Sequence, residues 1–134
     1  IGNCSFMLLD TESASSSISF AKANLSRMTA RWKIIAFHKP VRTSPSDHGP
    51  DEGKIGSLVP EFEKAHVNMV LQAHNHNYQR FNPQNGITWM VVGTGGEGLY
   101  KLKGSASGIA KQDDKNFGTL YCQAGSNSMA CKRS

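Results

Sequence analysis

Two short apolar runs that each end in histidine limit what this chain can fold into. Trp32-Lys33-Ile34-Ile35-Ala36-Phe37 stops at His38, and Met69-Val70-Leu71-Gln72-Ala73 stops at His74, with His76 two residues further on. Continuous apolar runs of this length read as strands buried on both faces, as in a parallel sheet. Residues 5–10 read as an earlier strand. A helix then runs to about Arg31, with N-caps offered at residues 15–17 and Ile18, Ala21, Leu25 and Met28 at three- and four-residue spacing. A second helix over 57–65 carries Leu58, Val59, Phe62 and Ala65 on one side.

The remaining segments follow from their punctuation. Residues 43–50 form a long Pro- and Ser-rich loop, and Gln84-Asn85-Gly86 is a turn. Residues 87–92 are a strand that runs into Gly93-Thr94-Gly95-Gly96-Glu97-Gly98. Residues 99–115 are polar and irregular, and 117–123 is a last strand, half of a hairpin closing near 129–131. The order β-α-β-α-β-β-β predicts an α/β fold whose parallel strands are joined by right-handed crossovers. Ligands in such sheets sit beyond the carboxyl ends of the strands, where Asp10, His38, His74 and Gly93 all fall.

Composition narrows the partners. The 134 residues are enough for one domain with a real core, and 38% hydrophobic with 19% charged residues fits a globular chain. The net charge of +5 is spread along the sequence without a dense basic stripe interleaved with aromatics, which argues against a nucleic-acid footprint. No stretch approaches the roughly 18 apolar residues of a membrane span. The chain opens on Ile1 just ahead of a strand, with neither an initiator Met nor a signal peptide, and is expected to be a fragment or a processed product. Cys4, Cys122 and Cys131 have no metal-site spacing. Cys122 and Cys131 flank a polar turn and are either bridged across a hairpin or present as two thiols. Asn3-Cys4-Ser5 and Asn24-Leu25-Ser26 fit the N-glycosylation pattern, which matters only in a secreted protein.

Histidine is the commonest protein metal ligand and also an acid or base near neutral pH. On an extended chain, His74 and His76 would leave the same face roughly 6.5–7 Å apart, suiting two neighbouring metals, or one metal after a turn. His38 at the end of a neighbouring strand strengthens the metal reading. Asp10 is the only carboxylate at a matching strand end, and a turn aspartate is the plainer reading for it. His48 lies in a loop that can bend back over the strand ends, where a histidine can donate a proton to a leaving group; an exposed loop histidine is the alternative. His66, between a helix and a strand, reads as structural. The segment 93–98 matches G-x-G-x-x-G, but no long helix follows it. A dinucleotide site is therefore disfavoured against a tight turn with close backbone approach.

Phe37-His38-Lys39-Pro40, Ala73-His74-Asn75-His76-Asn77-Tyr78-Gln79-Arg80 and Val91-Val92-Gly93-Thr94-Gly95-Gly96, in this order, resemble the C-terminal half of the calcineurin-like metallophosphoesterases, most of all the purple acid phosphatase-like branch. The resemblance covers nearly all of residues 1–134, read as a single domain. It implies part of a β-sandwich flanked by helices, with a two-metal centre (Fe, Zn or Mn) at the strand ends. It implies that His38 and His74 bind one metal and His76 the other. His48 then contacts the phosphate and protonates the leaving group, and Lys39 stands where an ammonium can hold phosphate. The family's earlier motifs, with the bridging Asp, the Tyr and the Asn ligand, have no counterpart here, so a preceding segment or a second chain would have to complete the site. Ala73 replaces a glycine, and Gln79 a glutamate. The resemblance implies hydrolysis of phosphate esters by the parent protein, outside the cell or at its surface. Two alternatives stand beside it: a non-catalytic structural or interaction protein that keeps the scaffold, and a mononuclear zinc module built on His38, His74 and His76.

Overall fold

Residues 2–51 and 54–134 are described in a computed structural model. The element order is β1 (Cys4–Leu9), α1 (Ala14–Asn24), β2 (Trp32–Phe37), α2 (Val59–Lys64), β3 (Met69–Gln72), β4 (Tyr78–Phe81), β5 (Thr88–Val92), β6 (Ile109–Asp113), β7 (Leu120–Ala124) and β8 (Met129–Arg133). Six strands form one sheet in the order β1-β2-β3-β5-β4-β6, and β7 pairs with β8 alone. Strands β1, β2, β3 and β5 are parallel, as the strand–helix alternation predicts, so their carboxyl ends share one edge. Strands β4 and β6 run antiparallel.

Alternation along the central strands separates two apolar faces. Ile35, Phe37, Val70 and Trp89 face one way, onto Ala21 and Leu25 of the first helical segment and Ile55, Leu58 and Phe62 of the second. Their neighbours Ile34, Met69 and Met90 face the other way, under Leu120, Met129 and Cys131 of the β7–β8 hairpin. The chain is thus an α/β structure with helices on one side of a central sheet. Its second β-layer, among the described residues, is a two-stranded ribbon. On that ribbon side the edge strand β1 leaves Phe6 and Leu8 53% and 75% exposed.

Several local expectations shift. The first α-helix begins at Ala14 and ends in a 3₁₀ turn at Leu25–Arg27, short of Arg31. Ser17 is not a cap: it sits inside the helix and exchanges two hydrogen bonds with the backbone of Asp10. Residues 99–115 are not wholly irregular, because β6 lies among them. Its inward Gln112 bonds Ser44, and its Asp113 pairs with Arg133, so polar partners replace the apolar pattern that would have marked a strand. Strand β4 escaped for the same reason, since buried Gln79 takes the place of an apolar residue. Asn85 and Gly86 both have positive φ and close a primed two-residue hairpin turn between β4 and β5. His66, also left-handed, ends the second helix as a cap residue, which agrees with its structural reading.

Cys122 and Cys131 are directly opposite in the β7–β8 register and form a disulfide. The hairpin is further tied down by Trp32 Nε1, which donates to Gly125 O, and by the Arg133–Asp113 ion pair. Hydrogen bonds from Lys115 N and Asn116, with Arg133 alongside, hold the Asp113 carboxyl well below its ordinary value. Closing a loop of this size removes about 3 kcal/mol of unfolded-chain entropy. Replacing both cysteines by serine is therefore expected to lower the unfolding free energy by up to about 3 kcal/mol. Urea denaturation measures that loss, and amide exchange is expected to rise first in β7 and β8.

Candidate active site

The carboxyl ends of β2, β3 and β5 deliver one short loop each to the same edge. His38 follows β2, the segment 74–77 follows β3, and 93–100 follows β5. The histidine segment is not extended. Asn75 N bonds Ala73 O at 2.8 Å and Asn77 N bonds Asn75 O at 2.8 Å, so two consecutive three-residue turns replace the strand geometry. His74 itself takes the left-handed conformation, with φ 65°, while Ala73 keeps negative φ. The methyl of Ala73 is therefore accommodated, and the strain falls on the histidine. Gly93 lies directly beneath this turn. A methyl group there would run into the carbonyl oxygen of Asn75 and crowd His76 Cα. Of the glycines after β5, Gly93 thus serves close backbone approach. The irregular stretch and strand that follow it are not the helix of a dinucleotide site.

The geometry gathers three of the five histidines. His38 Nε2 and His74 Nδ1 are 3.0 Å apart, with rings edge to face. The ring of His48 stacks on His74 at 3.8 Å between centroids. Burial, and then Coulombic repulsion from His48, His38, Lys39 and His76, hold His74 below its ordinary pKa and favour a neutral imidazole. His76 is held by different partners. Its Nδ1 meets Gly98 O at 2.9 Å, which leaves Nε2 as the available nitrogen, and its ring stacks on Tyr100 at 4.0 Å. Lys39 Nζ pairs with Glu12 at 2.7 Å. Asp10 accepts from Glu12 N at 2.8 Å, the arrangement of a turn aspartate at the head of a helix, as expected of it.

The donor set bears on a metal centre. Two imidazole nitrogens 3.0 Å apart both reach a single ion at bond lengths of about 2.0–2.1 Å, so His38 and His74 fit one metal. Among the described residues no group of three His, Cys, Asp or Glu side chains converges as a cage. The residues present fit the histidine part of such a centre.

Sequence reasoning missed the groups that hold the site together. Tyr100 packs on His76 and lies 5.6 Å from His48; its backbone N bonds His76 O at 2.9 Å. Buried Gln72, Asn75, Asn77 and Gln79 bind the loop over 41–48. Gln72 Oε1 accepts from Val41 N and Arg42 N, Gln79 Oε1 accepts from Ser44 N, and Asn77 Nδ2 donates to Ser46 Oγ. The available signal was four carboxamides within eight residues at the end of an apolar strand.

Known proteins match this region. No family model matches the chain. Tartrate-resistant acid phosphatase type 5 of Oryctolagus cuniculus is 30% identical over 84 residues, 63% of this chain and 26% of that protein. Purple acid phosphatase 21 of Arabidopsis thaliana is 26% identical over 121 residues, 80% of this chain and 28% of that protein. Over the matched region the chain is similar to the purple acid phosphatase-like branch of the calcineurin-like metallophosphoesterases. The purple acid phosphatase PPD1 of Lupinus luteus seeds superposes with a TM-score of 0.82 at 21% identity, over 97% of this chain and 28% of that one. GAP50, the anchor in the inner membrane complex of Plasmodium, superposes equally well at 16% identity, over 97% of this chain and 44% of that one. These two likenesses are of fold. The chain spans about a quarter of the length of the curated relatives it matches.

Two measurements follow from this geometry. Gly93→Ala is expected to displace the 74–76 turn, lowering the melting temperature and shifting the NMR signals of His74 and His76 far more than those of His66. In an NMR titration His74 is expected to protonate below its ordinary value of 6.5. Unfolded chains then take up the proton first, so its contribution to stability is complete above pH 6.5 and declines as the pH falls through that value.

Proposed function

We propose that this chain supplies the histidine half of a metallophosphoesterase site and that the parent protein hydrolyses phosphate esters. The observation that carries this reading is the convergence of His38, His74 and His48 at the carboxyl edge of the parallel strands, two nitrogens 3.0 Å apart with a third imidazole stacked against them. The acid phosphatase relatives support the reaction class. His38 and His74 would hold one ion, and Nε2 of His76 would face a second. When bound, such ions supply charge that polarises phosphoryl oxygens and acidifies water. Their identity is among Fe, Zn and Mn, and the missing carboxylate belongs to a preceding segment or a second chain.

The chain's own residues then have separate tasks. Water adds to phosphorus as the bond to the leaving oxygen breaks, and His48 gives its proton to that oxygen. Lys39, held near the site by a solvent-exposed ion pair with Glu12, exchanges that carboxylate for a phosphate oxygen at little cost. Tyr100 and Gly98 O keep the ring of His76 in one orientation. The Cys122–Cys131 disulfide supports a place outside the reducing cytosol, in an extracellular or cell-surface protein. Among the described residues no helix is long and apolar enough to cross a membrane.

A second reading, a non-catalytic scaffold, draws on the fold shared with GAP50, an anchor protein, and on the lack, among the described residues, of a cage of three metal-ligating side chains. Metal analysis and phosphomonoester hydrolysis by the full-length protein separate the two. The enzymatic reading expects bound metal, activity, and loss of both in His74→Ala. It also expects a kcat lower by about 10²-fold or more in His48→Ala with metal retained. A full-length protein with neither metal nor hydrolysis is the scaffold.

A further inference from the structure

His48 belongs to no helix or strand, yet both of its backbone groups are satisfied by one side chain. Asn75 Oδ1 accepts from His48 N at 3.0 Å, and Asn75 Nδ2 donates to His48 O at 2.9 Å and to Thr43 Oγ1 at 2.8 Å. The carboxamide thus gives His48 the two-bond pairing that a residue on a neighbouring strand would give. Asn75 is fully buried and sits between His74 and His76, on the same pair of turns that sets those rings. Both of its N–H groups and its oxygen are engaged within the protein, so it has nothing directed at a substrate.

From this geometry we infer that Asn75 is a positioning residue for His48: it registers the His48 backbone against the His74–His76 turn and so holds the proton-donating imidazole over His74. The inference rests on the hydrolytic reading for the task of His48, but not for the bond pattern itself. The neighbouring carboxamides make the effect local. Gln79 holds the loop at Ser44, Asn77 holds it at Ser46, and Gln72 holds it at Val41 and Arg42, so the loop stays docked when the pin at His48 is lost. Leucine at position 75 would leave the N–H and C=O of His48 without their partner. Aspartate would keep the acceptor for the N–H but turn a carboxylate oxygen towards the carbonyl of His48.

The test uses the full-length protein and two esters, phenyl phosphate and p-nitrophenyl phosphate, the second with a more acidic leaving group that departs with less help from a proton. Asn75→Leu is expected to lower kcat on phenyl phosphate by about 10- to 100-fold, within the range of general-acid contributions. KM should change little, and the loss on p-nitrophenyl phosphate should be clearly smaller. In the double variant with His48→Ala, Asn75→Leu should add no further loss, as expected when one residue acts through the other. Equal losses on both esters, or losses that multiply in the double variant, would overturn the inference. A second measurement is independent of activity. The amide of His48 should lose protection from hydrogen exchange by tenfold or more in Asn75→Leu, while the amide of Ser44, held by Gln79, keeps its protection. Unchanged protection at His48 overturns the inference even in an active enzyme. If the parent protein hydrolyses neither ester, the hydrolytic reading fails and exchange alone decides whether Asn75 fixes His48. Should Asn75→Leu not fold, Asn75→Asp is expected to show the same pattern, weaker in each readout.

Discussion

The site depends on carboxamides doing the work of a strand. The segment from Val41 to His48 runs alongside the ends of β3 and β4 without joining the sheet, and its backbone groups need partners once water is excluded. Gln72, Asn75, Asn77 and Gln79 supply them, and Gln79 Nε2 also donates to Asn77 Oδ1 at 2.8 Å, so the partners are themselves linked. A buried polar network of this kind gains from the low local dielectric only while its members stay satisfied. That condition makes the loop and the histidine turn a single unit. Gly93 belongs to the same unit, because only a residue without a side chain lets β5 pass under the carbonyl of Asn75.

This coupling explains why a functional loop can lack secondary structure and still hold a defined shape. His48 and His74 are twenty-six residues apart in sequence; in space the ring of one rests on the other. The left-handed backbone of His74 is tolerated because hydrogen bonds on both sides over-determine it: Ala73 N bonds His38 O, and Asn75 N closes the turn. Where a ring must stand at a fixed angle to another ring, backbone strain held by such bonds is a more rigid mount than a flexible extended chain.

Much of this was legible in the residues. Apolar runs ending at His38 and His74 carried both the parallel sheet and the place where its loops meet. Asn85-Gly86 announced its turn, and the polar segment between Cys122 and Cys131 announced a hairpin. What stayed hidden was polar and buried. Strands β4 and β6 place Gln79 and Gln112 where apolar residues were sought, so hydrophobic periodicity passed over them. The two-residue spacing of His74 and His76 was read on an extended chain, and local turn bonds between neighbouring peptide groups overrode that geometry. Tyr100 was invisible because its partner, His76, is twenty-four positions away and only the fold brings them together. Pattern reports what a chain hides from water, and it says little about which polar groups will find each other once hidden.

The bare side of β1 has a practical meaning. Among the described residues β1 is the edge strand of its sheet, with Phe6 and Leu8 exposed, and an edge of that kind is a template on which another extended segment can assemble. These 134 residues by themselves would carry that apolar seam into solution. An exposed apolar edge of this kind favours pairing with another β-segment, and charged residues in place of Phe6 and Leu8 would blunt it.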